Sequence, residues 1–180
     1  MHAEILSFLD RVARRLPTNL DVIEVASMVM HGSPREALQH HARSYVGIDW
    51  RPGPGVDVVG LAHEALRGRD ADLVVWCQAV EHDPWWRETL RASVEALSAR
   101  GGWLVATWAG PGYPEHELDT APPDPENPSR AYYAPRSVEE VEAVLRTCVP
   151  HERLELVETS YERGTLDALL LARLRPPLDG

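Results

Sequence analysis

The sequence predicts an α/β fold in which a mostly parallel sheet carries helices on both faces. Short runs of apolar, often β-branched residues, typical of buried parallel strands, alternate with segments whose apolar residues recur at helical spacing. The last two strand-like runs, residues 154–159 and 166–174, are separated only by a short polar turn near Gly164. That pattern predicts an antiparallel β-hairpin at the end of the chain, over residues 151–175.

Length and composition indicate a globular protein with one core. The chain has 180 residues, of which 44% are hydrophobic and 26% charged, so we expect residues 1–180 to form a single domain. A net charge of −10 argues against strong nucleic-acid binding and against attachment to an anionic membrane surface. The N-terminal segment carries acids and no long apolar run, which predicts neither a secretory signal nor a membrane span. A cytoplasmic location is the default expectation.

The first third of the chain predicts a helix followed by a strand, a loop, a short helix and a second strand. Apolar residues at helical spacing define the N-terminal helix, residues 1–17. The first strand occupies residues 21–26, and Ser33 suits the N-cap of the short helix. The second strand, residues 45–49, ends in the carboxylate of Asp49.

The remaining two thirds continue the alternation of strands and helices. Asp83 and Ser137 suit the N-caps of two longer helices. Between these helices, residues 109–135 are rich in Pro, Gly and acids and show no periodicity. Because the segment is too long for an idle connector, we interpret it as a lid or substrate loop. Further strands are predicted at residues 56–59, 72–77 and 103–108.

Two acids lie at or near the carboxyl ends of the first two strands. Glu24 lies in strand one, and Asp49 ends strand two. A strand, a loop that enters a helix, and an acid at the tip of the next strand are typical of the nucleotide-binding half of an open α/β sheet. In that arrangement Asp49 accepts hydrogen bonds from ribose hydroxyls. The residues alone leave simpler roles open, in which Glu24 caps amides of the loop and Asp49 forms a turn.

The order and spacing of four features resemble the class I S-adenosylmethionine-dependent methyltransferases. The features are an acid in strand one, an acid ending strand two, Glu-His after strand four and Gly-Gly before strand five, here Glu24, Asp49, Glu81-His82 and Gly101-Gly102. The segments YVGIDWRPGPGVDVV, EHDPWWRETL and AGPGYPEH also resemble a small methyltransferase-domain group of bacteria and phages. The resemblance implies a Rossmann-like class I methyltransferase fold, with seven strands, an antiparallel last strand, and S-adenosylmethionine as cofactor.

The resemblance further implies a cofactor site at the carboxyl ends of strands one, two and four. Glu24 would support the methionine end of the cofactor, and Asp49 would bind the ribose hydroxyls. Trp50 would lie against the adenine ring, or alternatively serve only as a hydrophobic residue at the rim. The residues expected to line the cofactor are Glu24, Ala26, Gly32, Asp49, Trp50, Ala62 and Gln78.

The acceptor side of the predicted site carries histidines and tyrosines. His82, with Glu81 beside it, is the candidate base, and the alternative is that His82 fixes the turn before the next helix. Tyr132, Tyr133 and His116 are candidates for contact with a small or medium methyl acceptor, and the alternative for the tyrosines is to anchor the loop to the core. The histidines form no tight ligand pair at i, i+4 spacing, so we predict no metal site.

Three residues depart from the family's pattern. Ala26 and Met28 stand where glycines let the backbone approach a ligand, and Leu61 stands where relatives carry an acid that contacts adenine. Met28 matters most, because its side chain could fill the methionine end of the site. The departures motivate a second hypothesis, a catalytically inactive methyltransferase-fold protein with a binding or assembly role. A third is another nucleotide-dependent enzyme, such as an oxidoreductase, and the terminal hairpin argues against it.

Overall fold

The computed structural model of the chain describes residues 3–30, 32–98, 100–114 and 132–177. The strands of its sheet are β1 (Leu20–Val25), β2 (Ala42–Asp49), β3 (Val58–Val59), β4 (Leu73–Cys77), β5 (Gly102–Ala109), β6 (Leu154–Glu162) and β7 (Asp167–Leu174). The helices are α1 (Ala3–Ala13), α2 (Arg35–Leu38), α3 (Ala62–Ala65), α4 (Trp86–Ser98) and α5 (Val138–Cys148). Short 3-10 turns occupy Gln39–His41, Val80–His82 and His151–Arg153.

All seven strands belong to one sheet, in the order β3-β2-β1-β4-β5-β7-β6. The first five strands pair in parallel, and β7 runs antiparallel to both β5 and β6. This topology confirms the predicted seven-stranded, mostly parallel sheet with an antiparallel last strand. The direction of winding reverses between β1 and β4, and ligands of such sheets bind in the crevice that this reversal leaves at the carboxyl ends of the strands.

Two hydrophobic clusters, one on each face of the sheet, form the core. Successive strand residues point to opposite faces, so Val74 of β4 belongs to one cluster and Val75 to the other. Helices α1 and α2 cover the second face, while α3, α4 and α5 cover the first. The predicted helices on both faces are therefore confirmed. The largest fully buried side chains of the first cluster are Trp76, Trp86 and Trp108.

Helix α1 is held on the sheet mainly by its apolar face. Its four buried side chains are Ile5, Phe8, Leu9 and Val12. Each stabilises the docked helix by about 1.5–3 kcal/mol. Arg11 and Arg15 also form ion pairs with Glu158 of β6, both at 2.8 Å, but partly exposed pairs contribute only about 0–1 kcal/mol each. Apolar burial therefore sets the position of α1.

Of the three predicted N-caps, Ser137 is confirmed as the N-cap of α5, and its hydroxyl accepts a hydrogen bond from Glu140 N at 3.1 Å. The Asp83 carboxylate accepts one from Trp85 N at 2.7 Å, an amide of the turn that precedes α4, which begins at Trp86. Ser33 is wrong as a cap, because the N-cap of α2 is Pro34, although the Ser33 hydroxyl accepts from Arg35 N at 3.1 Å. Helix α1 is shorter than the predicted residues 1–17, because the chain leaves the α-helix at Ala13 and continues as a turn in which Leu16 N donates to both Val12 O and Ala13 O.

A close approach of backbone segments at Gly47 yields the first prediction. A Cβ atom added there would lie 2.0 Å from Gly55 O and 2.5 Å from Ser27 Oγ, so no side chain fits without moving both loops beside β2. We expect Gly47→Ala to lower the free energy of unfolding in urea by about 3 kcal/mol. Gly164→Ala is the matched control, since its Cβ would meet nothing within 4 Å. Equal stability of the two variants would contradict the packing described at β2.

Candidate functional site

The carboxyl ends of β1 and β4 both turn through a left-handed residue. Ala26 follows β1 with φ of 56°, and Gln78 follows β4 with φ of 54°. This conformation costs a residue with a Cβ about 1 kcal/mol, and such strain concentrates at functional sites. The two strands neighbour each other where the winding of the sheet reverses, so both strained residues lie where sheets of this kind bind their ligands. The left-handed φ of Ala26 also explains why glycine would suit this position.

Glu24, one residue before the carboxyl end of β1, is buried, with 3% of its surface exposed. Its Oε1 accepts a hydrogen bond from the Ser33 hydroxyl at 3.2 Å, and its Oε2 lies 3.9 Å from Arg35 Nε. Among the described residues, Oε2 has no hydrogen-bond partner. Burial raises the pKa of Glu24 to about 7, while the nearby Tyr45 hydroxyl and, less strongly, the Arg35 guanidinium oppose that shift. The Arg35 guanidinium also stacks 4.3 Å from the ring centroid of Tyr45.

Asp49 ends β2 with a buried carboxylate that already accepts two backbone hydrogen bonds. Its Oδ2 accepts from Met28 N at 3.1 Å, and its Oδ1 accepts from Arg51 N at 3.2 Å. Burial raises the pKa of Asp49, and the two amides oppose that shift. The neighbouring Trp50 is 39% exposed, and the Arg51 guanidinium lies 4.9 Å from the centroid of its ring. Trp50 is thus accessible as a stacking surface, partly covered by Arg51.

The loop after β1 lies along the turn after β2. Ser27 N donates to Ile48 O at 3.1 Å, and Val29 N donates to Pro54 O at 2.9 Å. The Met28 side chain packs against Gly53, where an added Cβ would lie 2.7 Å from Met28 Cγ. Met28 therefore lies on the β2 side of the site. There it would meet the end of a ligand that reaches β2.

Gln78 connects the end of β4 to β5 and β7. Its backbone N–H donates to Thr107 O at 2.7 Å and to Thr107 Oγ1 at 3.2 Å. Its side-chain Nε2 donates to Asp167 Oδ1 at 3.3 Å and to Thr107 Oγ1 at 3.4 Å. Thr107 and Asp167 are both fully buried. Because Nε2 faces two buried acceptors, the amide orientation is set, and the carbonyl oxygen Oε1 lies on the other side of the group.

The predicted acceptor residues come together beside the 3-10 turn that follows β4. The rings of His82 and Tyr133 lie 5.2 Å apart between centroids. Glu81 is fully buried, its Oε1 accepts from Ala109 N at 3.1 Å, and its backbone carbonyl accepts from Ala134 N at 2.8 Å. The Glu81 carboxylate thus joins the turn to the end of β5. His116 lies outside the described residues, as does most of the predicted loop 109–135.

Arg136 holds the returning chain in place next to these residues. Its guanidinium donates to the Tyr132 hydroxyl, forms an ion pair with Glu140 at 3.0 Å and lies 5.0 Å from the centroid of the Trp86 ring. The Trp108 indole N–H donates to Arg136 O at 2.9 Å. Tyr132 is thereby tied to helices α4 and α5, which fits its alternative role as an anchor.

The other predicted cofactor residues border the same edge. Gly32 has φ of 97° and lies exposed in the loop after β1. Ala62 begins α3 and packs on the core, directly after Leu61, whose extended backbone precedes the helix. Contact of Gly32 or Ala62 with a cofactor stays a prediction.

Residues that the sequence analysis did not select complete the site. Arg35 faces Glu24, while Thr107 and Asp167 hold Gln78. One sequence feature could have indicated Asp167, an acid directly before the apolar run of residues 168–172. The contact of Arg35 with Glu24 joins residues on different elements and has no sequence pattern of its own. In the described part of the chain, no three His, Cys, Asp or Glu residues are arranged to hold a metal ion, and no helix could span a membrane.

No protein-family model and no curated protein matches the sequence. Solved structures do match. The N-methyltransferase NodS of Bradyrhizobium japonicum, in complex with S-adenosyl-L-homocysteine, has a TM-score of 0.60 and 20% identity, over 97% of this chain and 87% of NodS. The [4+2]-cyclase SpnF has a TM-score of 0.62 and 15% identity, over 94% of this chain and 80% of SpnF.

A third match differs in length. A candidate O-methyltransferase of Nostoc punctiforme has a TM-score of 0.61 and 19% identity, over 94% of this chain. The chain spans only 56% of that protein. Together with the strand order, these likenesses show that the chain has the class I S-adenosylmethionine-dependent methyltransferase fold.

The raised pKa of Glu24 predicts a specific pH dependence of stability. Burial raises this pKa from 4.5 to about 7, so between these values the folded protein holds a proton that the unfolded chain releases. The free energy of unfolding therefore falls as pH rises through this window, by about 3 kcal/mol for this group. We expect Glu24→Gln to remove that part of the slope in urea unfolding at pH 5, 6, 7 and 8. Parallel curves for wild type and variant would contradict the buried, unsatisfied state of Glu24.

Proposed function

We propose that the protein binds S-adenosylmethionine and transfers its methyl group to a small or medium acceptor. The observation that carries the proposal is the pair of buried acids Glu24 and Asp49 on neighbouring parallel strands, next to the crevice between β1 and β4. Acids at these two places are the polar groups that the resemblance associates with the methionine end and the ribose. The fold likenesses support the same class of ligand.

The residues present fit such a cofactor. Each oxygen of Asp49 accepts one backbone hydrogen bond and retains a second lone pair, which suits a ribose hydroxyl. Glu24 Oε2 has no hydrogen-bond partner among the described residues. Trp50, the residue after Asp49, is 39% exposed and offers a ring on which an adenine could stack. Bound S-adenosylmethionine would supply a methyl group on a sulfonium that is already a good leaving group.

Residues of the chain would then contribute mainly position and alignment. Methyl transfer is an in-line displacement, so proximity accounts for much of the rate. His82 and Tyr133 form a paired surface beside the end of β4, where an acceptor could lie. We propose His82 as general base for an acceptor that must lose a proton. Glu81 is fully buried, which favours a supporting role for its carboxylate over contact with the acceptor.

The second candidate function is a binding or assembly module that has lost the cofactor. The observation in its favour is that Ala26, Met28 and Leu61 stand where the resemblance places two glycines and an acid that contacts adenine. The fold by itself does not establish methyl transfer, since the [4+2]-cyclase SpnF has a similar fold.

Cofactor binding by wild type and Asp49→Ala tests the proposed function. We expect isothermal titration to give a micromolar dissociation constant for S-adenosylmethionine, corresponding to about 8 kcal/mol. Asp49→Ala should weaken binding by about 1.5–3 kcal/mol, because a charged acceptor is lost. Asp70→Ala is the matched control, since Asp70 is exposed and precedes β4 at the opposite edge of the sheet. Binding of NAD in place of S-adenosylmethionine would contradict the proposal.

Met28→Gly separates the enzyme from the inactive module. Because Met28 packs against Gly53 on the β2 side, we expect the variant to bind S-adenosylmethionine no more than about threefold more tightly than wild type. A larger gain would identify Met28 as an obstruction. If wild type shows no binding and Met28→Gly with Leu61→Asp restores it, the natural protein is an inactive module.

A further inference from the structure

The most deeply buried acids of the described chain share one edge of the sheet. Glu24 is 3% exposed and Asp49 7% exposed, while Glu81 and Asp167 are fully buried. They lie in or at the ends of β1 and β2, after β4 and at the start of β7. Strand β7 is antiparallel, so its first residue reaches the edge where the parallel strands end. Carboxylates hidden from water interact strongly with a nearby charge because solvent screens them little.

Three buried side-chain oxygens on β1 and β2 or next to them have no hydrogen bond within the described chain. They are Oε2 of Glu24, the Tyr45 hydroxyl that lies near it, and the hydroxyl of Ser27, a residue only 1% exposed. Ser27 follows Ala26 at the end of β1 and faces Gly47, two residues before Asp49. Buried polar groups are rarely left unpaired. The Tyr45 hydroxyl can serve as a donor to Glu24, so the Ser27 hydroxyl is the clearer indication of a polar ligand at the ends of β1 and β2. Arg35 and Arg51 face Glu24 and Asp49 and partly offset their charge.

Asp167 places a further carboxylate close to the end of β4. It accepts a hydrogen bond from the neutral amide of Gln78, at 3.3 Å, and so orients that amide. With Nε2 turned towards Asp167 and Thr107, the negative end of the amide dipole, Oε1, lies on the opposite side. Gln78 is half-buried and borders the crevice in a left-handed conformation. The Asp167 carboxylate and the Oε1 end of the Gln78 amide therefore both make the electrostatic potential at this place more negative.

We infer that Asp167 is a positioning residue that, through Gln78, makes the crevice prefer the cationic cofactor over its neutral product. The inference rests on the proposed function. If the ribose lies at Asp49 and Gln78 lines the cofactor, as the resemblance implies, the sulfonium would lie near Gln78. S-adenosylmethionine and S-adenosylhomocysteine differ there by one methyl group and one positive charge. A negative field at this point binds the first more tightly and favours release of the second after transfer.

The ratio of the two dissociation constants tests the inference directly. Isothermal titration with S-adenosylmethionine and with S-adenosylhomocysteine gives the ratio for wild type and for Asp167→Asn. The asparagine retains shape and an acceptor oxygen for Gln78 but loses the charge. We expect wild type to prefer S-adenosylmethionine by about tenfold and Asp167→Asn to reduce the preference roughly fivefold, chiefly through weaker S-adenosylmethionine binding.

Two further variants keep the test decisive. Asp21→Asn removes the same charge from the amino end of β1, at the opposite edge, and should leave the ratio unchanged. Gln78→Met retains length but lacks the carbonyl dipole, and should reduce the ratio roughly threefold. This variant decides the question if circular dichroism shows that Asp167→Asn does not fold.

The outcomes distinguish this inference from the proposed function. Equal weakening of both ligands, with the ratio unchanged in Asp167→Asn and Gln78→Met, would assign the two residues a purely structural role and overturn the inference, while cofactor binding stands. If wild type binds neither ligand, the proposed function fails, and the inference fails with it.

Discussion

A carboxylate taken out of water costs free energy unless other groups replace the lost hydration, and Glu24 imposes that requirement on this fold. The surrounding elements replace part of the hydration that Glu24 has lost. Ser33 donates a hydrogen bond from the loop before α2. Arg35 of α2 contributes a positively charged guanidinium, which also stacks on the Tyr45 ring of β2. The four-residue helix α2 thus places its first residue beside the acid. Glu24 Oε2 and the Tyr45 hydroxyl near it have no hydrogen-bond partner in the described part of the chain, which is a local reason to expect a polar ligand or a rearranged contact between the two groups.

The same edge shows how a sheet can concentrate charge from distant parts of the chain. Parallel strands bring their carboxyl ends together, and the antiparallel β7 adds the residue that begins it. Asp167 therefore lies near Gln78, although the two are 89 positions apart. The Gln78 amide is neutral, so Asp167 fixes its orientation without a second charge at the end of β4. The electrostatics of this edge thus depend on the direction of β7.

The fold and the chemistry of this protein are separate questions. Buried apolar residues on both faces of the sheet account for the fold, and many apolar sequences satisfy that requirement, which agrees with structural likeness at 15–20% identity. The chemistry that we propose depends on a few polar residues at one edge of the sheet, where single substitutions would matter. Ala26 adopts the left-handed conformation at a cost in free energy, and the Met28 side chain packs against Gly53. Both departures from the glycine pattern are compatible with the backbone of this fold.

The sequence by itself determined the strands, most helix starts, the terminal hairpin and the two acids Glu24 and Asp49. These features depend on local patterns, namely apolar runs, capping residues and residues at strand ends, which do not require knowledge of distant contacts. Only the tertiary structure decided that Met28 turns towards Gly53, that Arg35 faces Glu24 and that Asp167 orients Gln78. Each of these contacts joins different elements, so it depends on strand order, register and packing, none of which a local pattern contains.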